Sequence, residues 1–201
     1  LIILWNKCMN EEPITKFTTV IPFWEPRVTP VKLNEATQEQ LDAMKATPSD
    51  TGVGAYVLVL AHDPKTLQER TPLFNGIMYS HGGLARSDTE LSAVAASMVN
   101  RCIYCAAVHA SRYNKLTKDG TVIEGLFDAG EHAELDPRPQ AIVNFATKLS
   151  RCPSEAGYAD MKQLIDVGLG MDEILDVILT ASLFGWANRL MHVLGDPIAD
   201  E

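Results

Sequence analysis

The sequence is poor in cysteine and aromatics and has no surplus of positive charge. Four cysteines in 201 residues, Cys8, Cys102, Cys105 and Cys152, are too few for a disulfide framework, and a chain this long can bury a core without one. That usage fits a reducing compartment, so residence is expected to be cytoplasmic and any disulfide a working bond. Lys and Arg number 17 against 26 Asp and Glu, a net charge of −9 that repels a phosphate backbone, so nucleic acid is not an expected partner. No unbroken apolar run reaches the ~18 residues that would span a bilayer. The apolar opening Leu1-Ile2-Ile3-Leu4-Trp5 is far shorter and has neither a basic leader nor a small-residue cleavage site, so no membrane partner is expected. The chain does not begin with Met, and Met9 is read as a candidate start. No stretch sustains period-two alternation punctuated by turns, which argues against a sheet-built fold.

What is present is helical patterning behind a proline-marked arm. Residues 1–50 open with an extended stretch carrying Pro13, Pro22, Pro26 and Pro30, then a short helix over Thr37–Ala46 with Leu41 and Met44 on one side. Residues 51–201 read as a single all-helical domain. Ala55–His62 is an apolar helix. Asp63-Pro64 opens another that runs to about Ser80 and stops at Gly82-Gly83. Ser87-Asp88-Thr89-Glu90 matches a capping box with Ser87 as N-cap, followed by the stripe Leu91, Val94, Ala95, Met98, Val99. Further helices are expected from Cys102 to about Lys115, from Asp136-Pro137 with Ile142, Phe145 and Leu149 inward, over Tyr158–Val167 and over Met171–Leu194. Asp119-Gly120 reads as a turn. The fold class is therefore all-α. Sliding the chain by 83 residues places Glu90 on Glu173, Val94 on Val177 and His109 on His192, a faint internal repeat.

The chemistry concentrates in Cys102-Ile-Tyr-Cys105-Ala-Ala-Val-His109. Offsets of three and seven residues share one helix face. Two thiols so placed can close into a disulfide and reopen, and a helix start favours the thiolate. Asn100 is a candidate N-cap for that start. His109 is about 6 Å along the helix from Cys105 but about 10 Å from Cys102, so it can assist Cys105. Glu90 on a straight helix would stand about 18 Å from Cys102. A chain break near Asn100-Arg101 would instead return it to His109 and create a Glu–His–Cys relay. Other readings compete. Glu90 also fits a surface helix-capping residue, and the thiols fit small core residues. Zinc ligation by both thiols, His109 and either His81 or His132 is a rival, although no second paired motif accompanies it. Haem attachment is ruled out because Ala106, not histidine, follows Cys105.

At these residues the chain resembles the alkylhydroperoxidase D-like and carboxymuconolactone decarboxylase superfamily, specifically its peroxidase-related branch. The carrying pattern is Glu90, then Cys102-x-x-Cys105-x-x-x-His109 twelve residues on, with the Leu91–Asn100 and Ala181–Leu194 segments also similar. The resemblance spans roughly residues 50–195. It implies an all-helical fold, homo-oligomers of three or six subunits, a small-molecule peroxide substrate, a dithiol or lipoyl-type reductant and no cofactor or metal. It makes Cys105 the peroxidatic sulfur, Cys102 the resolving cysteine or proton donor, and Glu90 and His109 the relay. Some members carry a histidine directly before the second cysteine; this chain has Tyr104, a hydrogen-bond donor and a possible relay group. The decarboxylase branch lacks the thiol pair, so that activity is not implied. The expected function is thiol-dependent hydroperoxide reduction by Cys102 and Cys105 with Glu90 and His109. The alternatives are a zinc-binding or scaffold oligomer using the same face, and a redox sensor or cofactorless enzyme acting on something other than peroxide.

Overall fold

A computed structural model describes residues 12–45 and 52–199. The apolar opening segment, Cys8, Met9 and Ala46 lie outside the described residues. Nine α-helices are present among the described residues: α1 (Gln38–Lys45), α2 (Ala55–Leu60), α3 (Pro64–Tyr79), α4 (Arg86–Val99), α5 (Ile103–Thr117), α6 (Thr121–Ala129), α7 (Pro137–Ser150), α8 (Tyr158–Asp166) and α9 (Met171–Leu194). A 3₁₀ turn covers Gly130–His132, and two four-residue strands, β1 (Phe23–Pro26) and β2 (Gly195–Ile198), complete the set. The class is all-α, as the patterning predicts.

The chain divides into two compact units. Among the described residues, one is built from 12–14, 22–45, 52–76 and 190–199; the other from Thr15–Ile21 and Ile77–Arg189. In the first, β1 pairs antiparallel with β2, Phe23 opposite Ile198 and Pro26 opposite Gly195. Trp24 is buried there and meets the Tyr56 ring edge-on at 5.7 Å. Its apolar cluster is Val31, Ala43, Met44, Val57, Ala61 and Leu67.

The second unit is centred on α4, whose residues Thr89–Ser97 are all buried. A helix buried all round needs neighbours on every side. It packs against α5 and α7, and α7 against α8. Arg138 of α7 joins Asp88 at 2.9 Å to Glu173 at 3.2 Å, tying the starts of α4 and α9 together. The proline-marked arm contributes Phe17, stacked on Phe127 of α6 at 5.5 Å.

Several local expectations change. The capping box does not form: α4 starts at Arg86 with Ala85 as N-cap and no side-chain cap. Ser87 is therefore inside the first turn, and Glu90 sits too deep in the helix to reach back to its entry. Asn100 is not the N-cap of the next helix. It ends α4, and Cys102 takes the N-cap position of α5. The expected turn at Asp119-Gly120 is also the entry to a further helix, α6. The Asp119 carboxylate accepts the Thr121 N–H at 2.9 Å, and Ile123 and Leu126 are buried. Asp63 does cap α3, accepting the Thr66 N–H at 3.1 Å. The 83-residue repeat has no architectural counterpart, since Glu90 and His109 lie on two helices and Glu173 and His192 on one. By length and composition α9 could cross a membrane, with a mean hydropathy of 1.2 over its most apolar 18 residues; half of that window is buried inside the protein.

The turn before α4 depends on Gly83, held at φ 74°, where an added Cβ would run into the Asp176 carboxylate. That carboxylate accepts the Leu84 N–H at 2.9 Å. Gly82, at φ 88°, has open space around it. Both are left-handed positions that cost a side chain about 1–2 kcal/mol. Gly83→Ala should therefore lower unfolding stability by about 1 kcal/mol more than Gly82→Ala, because only it displaces a hydrogen-bonded acid. Urea denaturation of the two variants checks the order.

Candidate active site

The site begins with how α4 ends. The Arg101 N–H bonds the Met98 carbonyl at 3.1 Å and the Cys102 N–H bonds the Ser97 carbonyl at 2.9 Å. These are the two crossed bonds of a Schellman stop, with Arg101 in the left-handed position at φ 58°. Glycine is the usual residue there. The stop reverses the chain at once: Cys102, extended at φ −82° and ψ 92°, closes α4 and opens α5, its carbonyl accepting the Ala106 N–H at 3.0 Å. The break considered near Asn100-Arg101 is therefore real.

Through it Glu90 returns to His109. The His109 Nδ1 and the Glu90 carboxylate are hydrogen-bonded in a buried pair. The other carboxylate oxygen accepts from Arg86, whose Nε lies at 3.0 Å one helical turn before it. Arg86 in turn lies over the Tyr79 ring at 4.2 Å, and Phe184 of α9 meets the His109 ring edge-on at 4.5 Å. Burial disfavours charge on Glu90, but the His109 ring and the Arg86 guanidinium outweigh it and hold the carboxyl below its ordinary value. The surface-capping reading of Glu90 is overturned: the residue has no exposed surface.

Cys102 and Cys105 are both free thiols, buried, with their sulfurs 2.8 Å apart. That is beyond a disulfide bond, about 2.05 Å, and within hydrogen-bond reach. The two share one ionisation. The hydrogen bond with Cys105 holds Cys102 below the ordinary thiol value; burial opposes this, and the Cys105 amide and the Asn188 side chain assist. Cys105 is pushed well up, by the same hydrogen bond, by burial and by charge on Cys102, with Asn188 opposing. Of the two sulfurs Cys102 is therefore the one whose ionisation is favoured, at the unpaired N–H groups that open α5. This differs from the sequence reading, which placed the favoured charge on neither sulfur in particular and assigned the attack to Cys105.

Tyr104 is half-buried, and burial followed by charge on Cys105 raises its phenol above the ordinary value. It stays a neutral hydrogen-bond donor, unable to shuttle protons through its own anion at neutral pH. His81 and His132 are exposed. No group of three or more His, Cys, Asp or Glu with metal-holding geometry is present among the described residues, so the donor set of the zinc alternative does not converge. His192 is exposed and Cys152 is an exposed free thiol.

Three contributors were not visible in the sequence pattern. Arg86 could have been found, being four residues before Glu90 on the same helix. Ser97 and Asn188 could not. Asn188 is fully buried on α9 and donates to Ser97 Oγ at 3.2 Å. Its carbonyl oxygen accepts from Asn100 Nδ2 at 3.2 Å, and that same Nδ2 donates to the Ala96 carbonyl at 2.9 Å. Asn100 thus fixes which way the Asn188 amide points, leaving its NH₂ for Ser97 and the sulfurs. Nothing local announces this, because the contact spans 88 residues.

The Carboxymuconolactone decarboxylase family model matches residues 64–124, the stretch that carries Glu90, both thiols and His109. Among solved structures, the chain is similar to the alkylhydroperoxidase AhpD core, an uncharacterized peroxidase-related protein from Ralstonia eutropha JMP134. The identity is 24%, covering 87% of this chain and 93% of that one at a TM-score of 0.74. An uncharacterized peroxidase-related protein from Silicibacter sp. TM1040 is 25% identical over 85% of this chain and 92% of its own, at a TM-score of 0.70. The debrominase Bmp8 shares the fold at 15% identity, over 86% and 91% of the two chains, with a TM-score of 0.68. A comparison with curated proteins finds no match. Over residues 64–124 the chain is similar to the Carboxymuconolactone decarboxylase family, and it shares the fold of these peroxidase-related structures.

Two outcomes test the site. Glu90→Ala leaves His109 and Arg86 without their shared carboxylate and should cost about 3–5 kcal/mol in denaturant unfolding. Because the carboxyl is held below its ordinary value near 4.5, its contribution is present above that pH and lost as the pH falls through the lowered value. The gap between wild type and variant should accordingly narrow in acid. Asn188→Leu removes a donor to the thiolate and should slow iodoacetamide labelling of the reduced pair at neutral pH by about tenfold.

Proposed function

We propose that the protein is a thiol-dependent hydroperoxide reductase working through Cys102 and Cys105. The observation that carries this is one reduced thiol pair, 2.8 Å apart at the start of α5, with the imidazole of His109 on the same helix held in a buried pair by Glu90 of α4. The Cys102 thiolate takes the proton of Cys105 across their contact. The Cys105 thiolate attacks the distal peroxide oxygen, the O–O bond breaks, and the alkoxide leaves with a proton from His109, held in place by Glu90. Cys105 is now a sulfenic acid. Cys102 displaces its hydroxyl as water, giving the disulfide. A small dithiol of lipoyl type returns two electrons and two protons by exchange. The working form in this proposal is a homo-oligomer of three or six subunits in a reducing compartment such as the cytoplasm.

A second reading has a specific observation behind it. Tyr104 stands where the relay would gain from an imidazole, and its half-buried phenol is a donor rather than a shuttle. The same dithiol would then reduce an electrophile other than a peroxide, without need of a second proton relay.

Cys105→Ser should abolish turnover of an organic hydroperoxide. Cys102→Ser should leave a sulfenic acid on Cys105 after one equivalent, detectable by trapping and mass analysis. Full turnover by the Cys105 variant, or sulfenic acid on Cys102 alone, would sink the assignment of roles. Two thiols that survive a stoichiometric hydroperoxide but are lost to a different electrophile would favour the second reading.

A further inference from the structure

A cavity of about 170 Å³ lies beside the last turns of α4, and its lining includes none of Glu90, Cys102, Cys105 and His109. Phe17 of the arm forms one wall, and Ala95, Met98, Leu126 and Val143 form much of the rest. The lining is predominantly apolar. Its polar fringe is Thr147 and Glu131, the latter already paired with Arg151. Arg101 is exposed and is not itself part of the lining, but its guanidinium lies 5.6 Å from the centre of the Phe17 ring that walls the cavity. Arg101 has no carboxylate partner among the described residues, in a chain with nine more acids than bases. It also holds a left-handed backbone position, φ 58°, that a glycine would occupy without strain.

We propose that this cavity binds an aliphatic carboxylate, with the chain against Phe17 and Val143 and the carboxylate on Arg101. An engineered apolar cavity of about 150 Å³ takes a benzene ring. The volume here suits a chain of about six to eight carbons on the same scale. The cation supplies the charge complement that an alcohol or hydrocarbon cannot use. Met98 lines the cavity and its carbonyl holds the Arg101 N–H, so the ligand rests on the turn that places Cys102. The site is independent of the thiol chemistry proposed above, and binding is measured on the reduced protein with no peroxide present.

The experiment is calorimetric titration of the full chain with hexanoate, octanoate and decanoate and with the matching alcohols. Affinity should rise about fourfold per methylene until the cavity is full, near eight carbons, and then level. Each acid should bind at least about tenfold more tightly than its alcohol. Arg101→Asn keeps a residue that tolerates the left-handed position and should erase the acid–alcohol gap while retaining the chain-length trend. Val143→Phe, shown folded by thermal melting, should erase the chain-length trend. Equal binding of acid and alcohol, or an Arg101→Asn variant that binds acids as before, overturns the proposal. So does a Phe17→Ala variant that fails to alter binding but shifts the subunit number, which would make this face an interface between copies.

Discussion

A carboxylate with no exposed surface, Glu90, is the constraint around which the second unit is arranged. An ion of that size cannot sit uncompensated inside a protein. Arg86 answers it from one turn earlier on α4, and His109 answers it from α5. The second answer requires the chain to stop, reverse and come back level within nineteen residues. The Schellman stop at Arg101 and the N-cap at Cys102 are what make that possible. The relay and the thiols are therefore not separate features: the turn that delivers His109 to Glu90 is the same turn that sets Cys102 at a helix entry.

The asymmetry of the thiol pair follows from its place in that turn. Cys102 lies before the first turn of α5 and Cys105 lies within it, so the unpaired N–H groups favour charge on Cys102. Asn188 reaches the pair from α9, with its amide oriented by Asn100. Charge is distributed between the two sulfurs by backbone position and one buried amide, without a second imidazole. Tyr104 adds a donor and no further ionisation at neutral pH.

Much of this was legible in the sequence, and the parts that were not have physical reasons. Periodicity located α4, α5, α7, α8 and α9, and Asp63 and Asp136 marked helix starts through their following prolines. The spacing of Glu90, Cys102, Cys105 and His109 pointed to the site, conditional on a break. The break itself had no glycine to announce it, since Arg101 takes the left-handed position. The apparent capping box at Ser87 misled because Ala85 begins the helix without a side-chain cap, which turned a buried acid into a seemingly superficial one. α6 was hidden behind Asp119-Gly120, a pair that serves a turn and a helix entry equally well. Asn188 and Ser97 belong to tertiary packing, which local patterning does not carry.

Cys102 as an N-cap has one more consequence. In the proposed thiol cycle the ionised Cys102 sulfur lies over the first N–H groups of α5, whereas the disulfide is uncharged. Oxidation therefore withdraws an electrostatic anchor from the opening turn of that helix. The amides of Ile103 to Cys105 would then exchange with solvent at a rate that follows the redox state. In that proposed cycle the first turn of α5 is a local gauge of the electrons the thiol pair holds, one that amide exchange can read without adding a substrate.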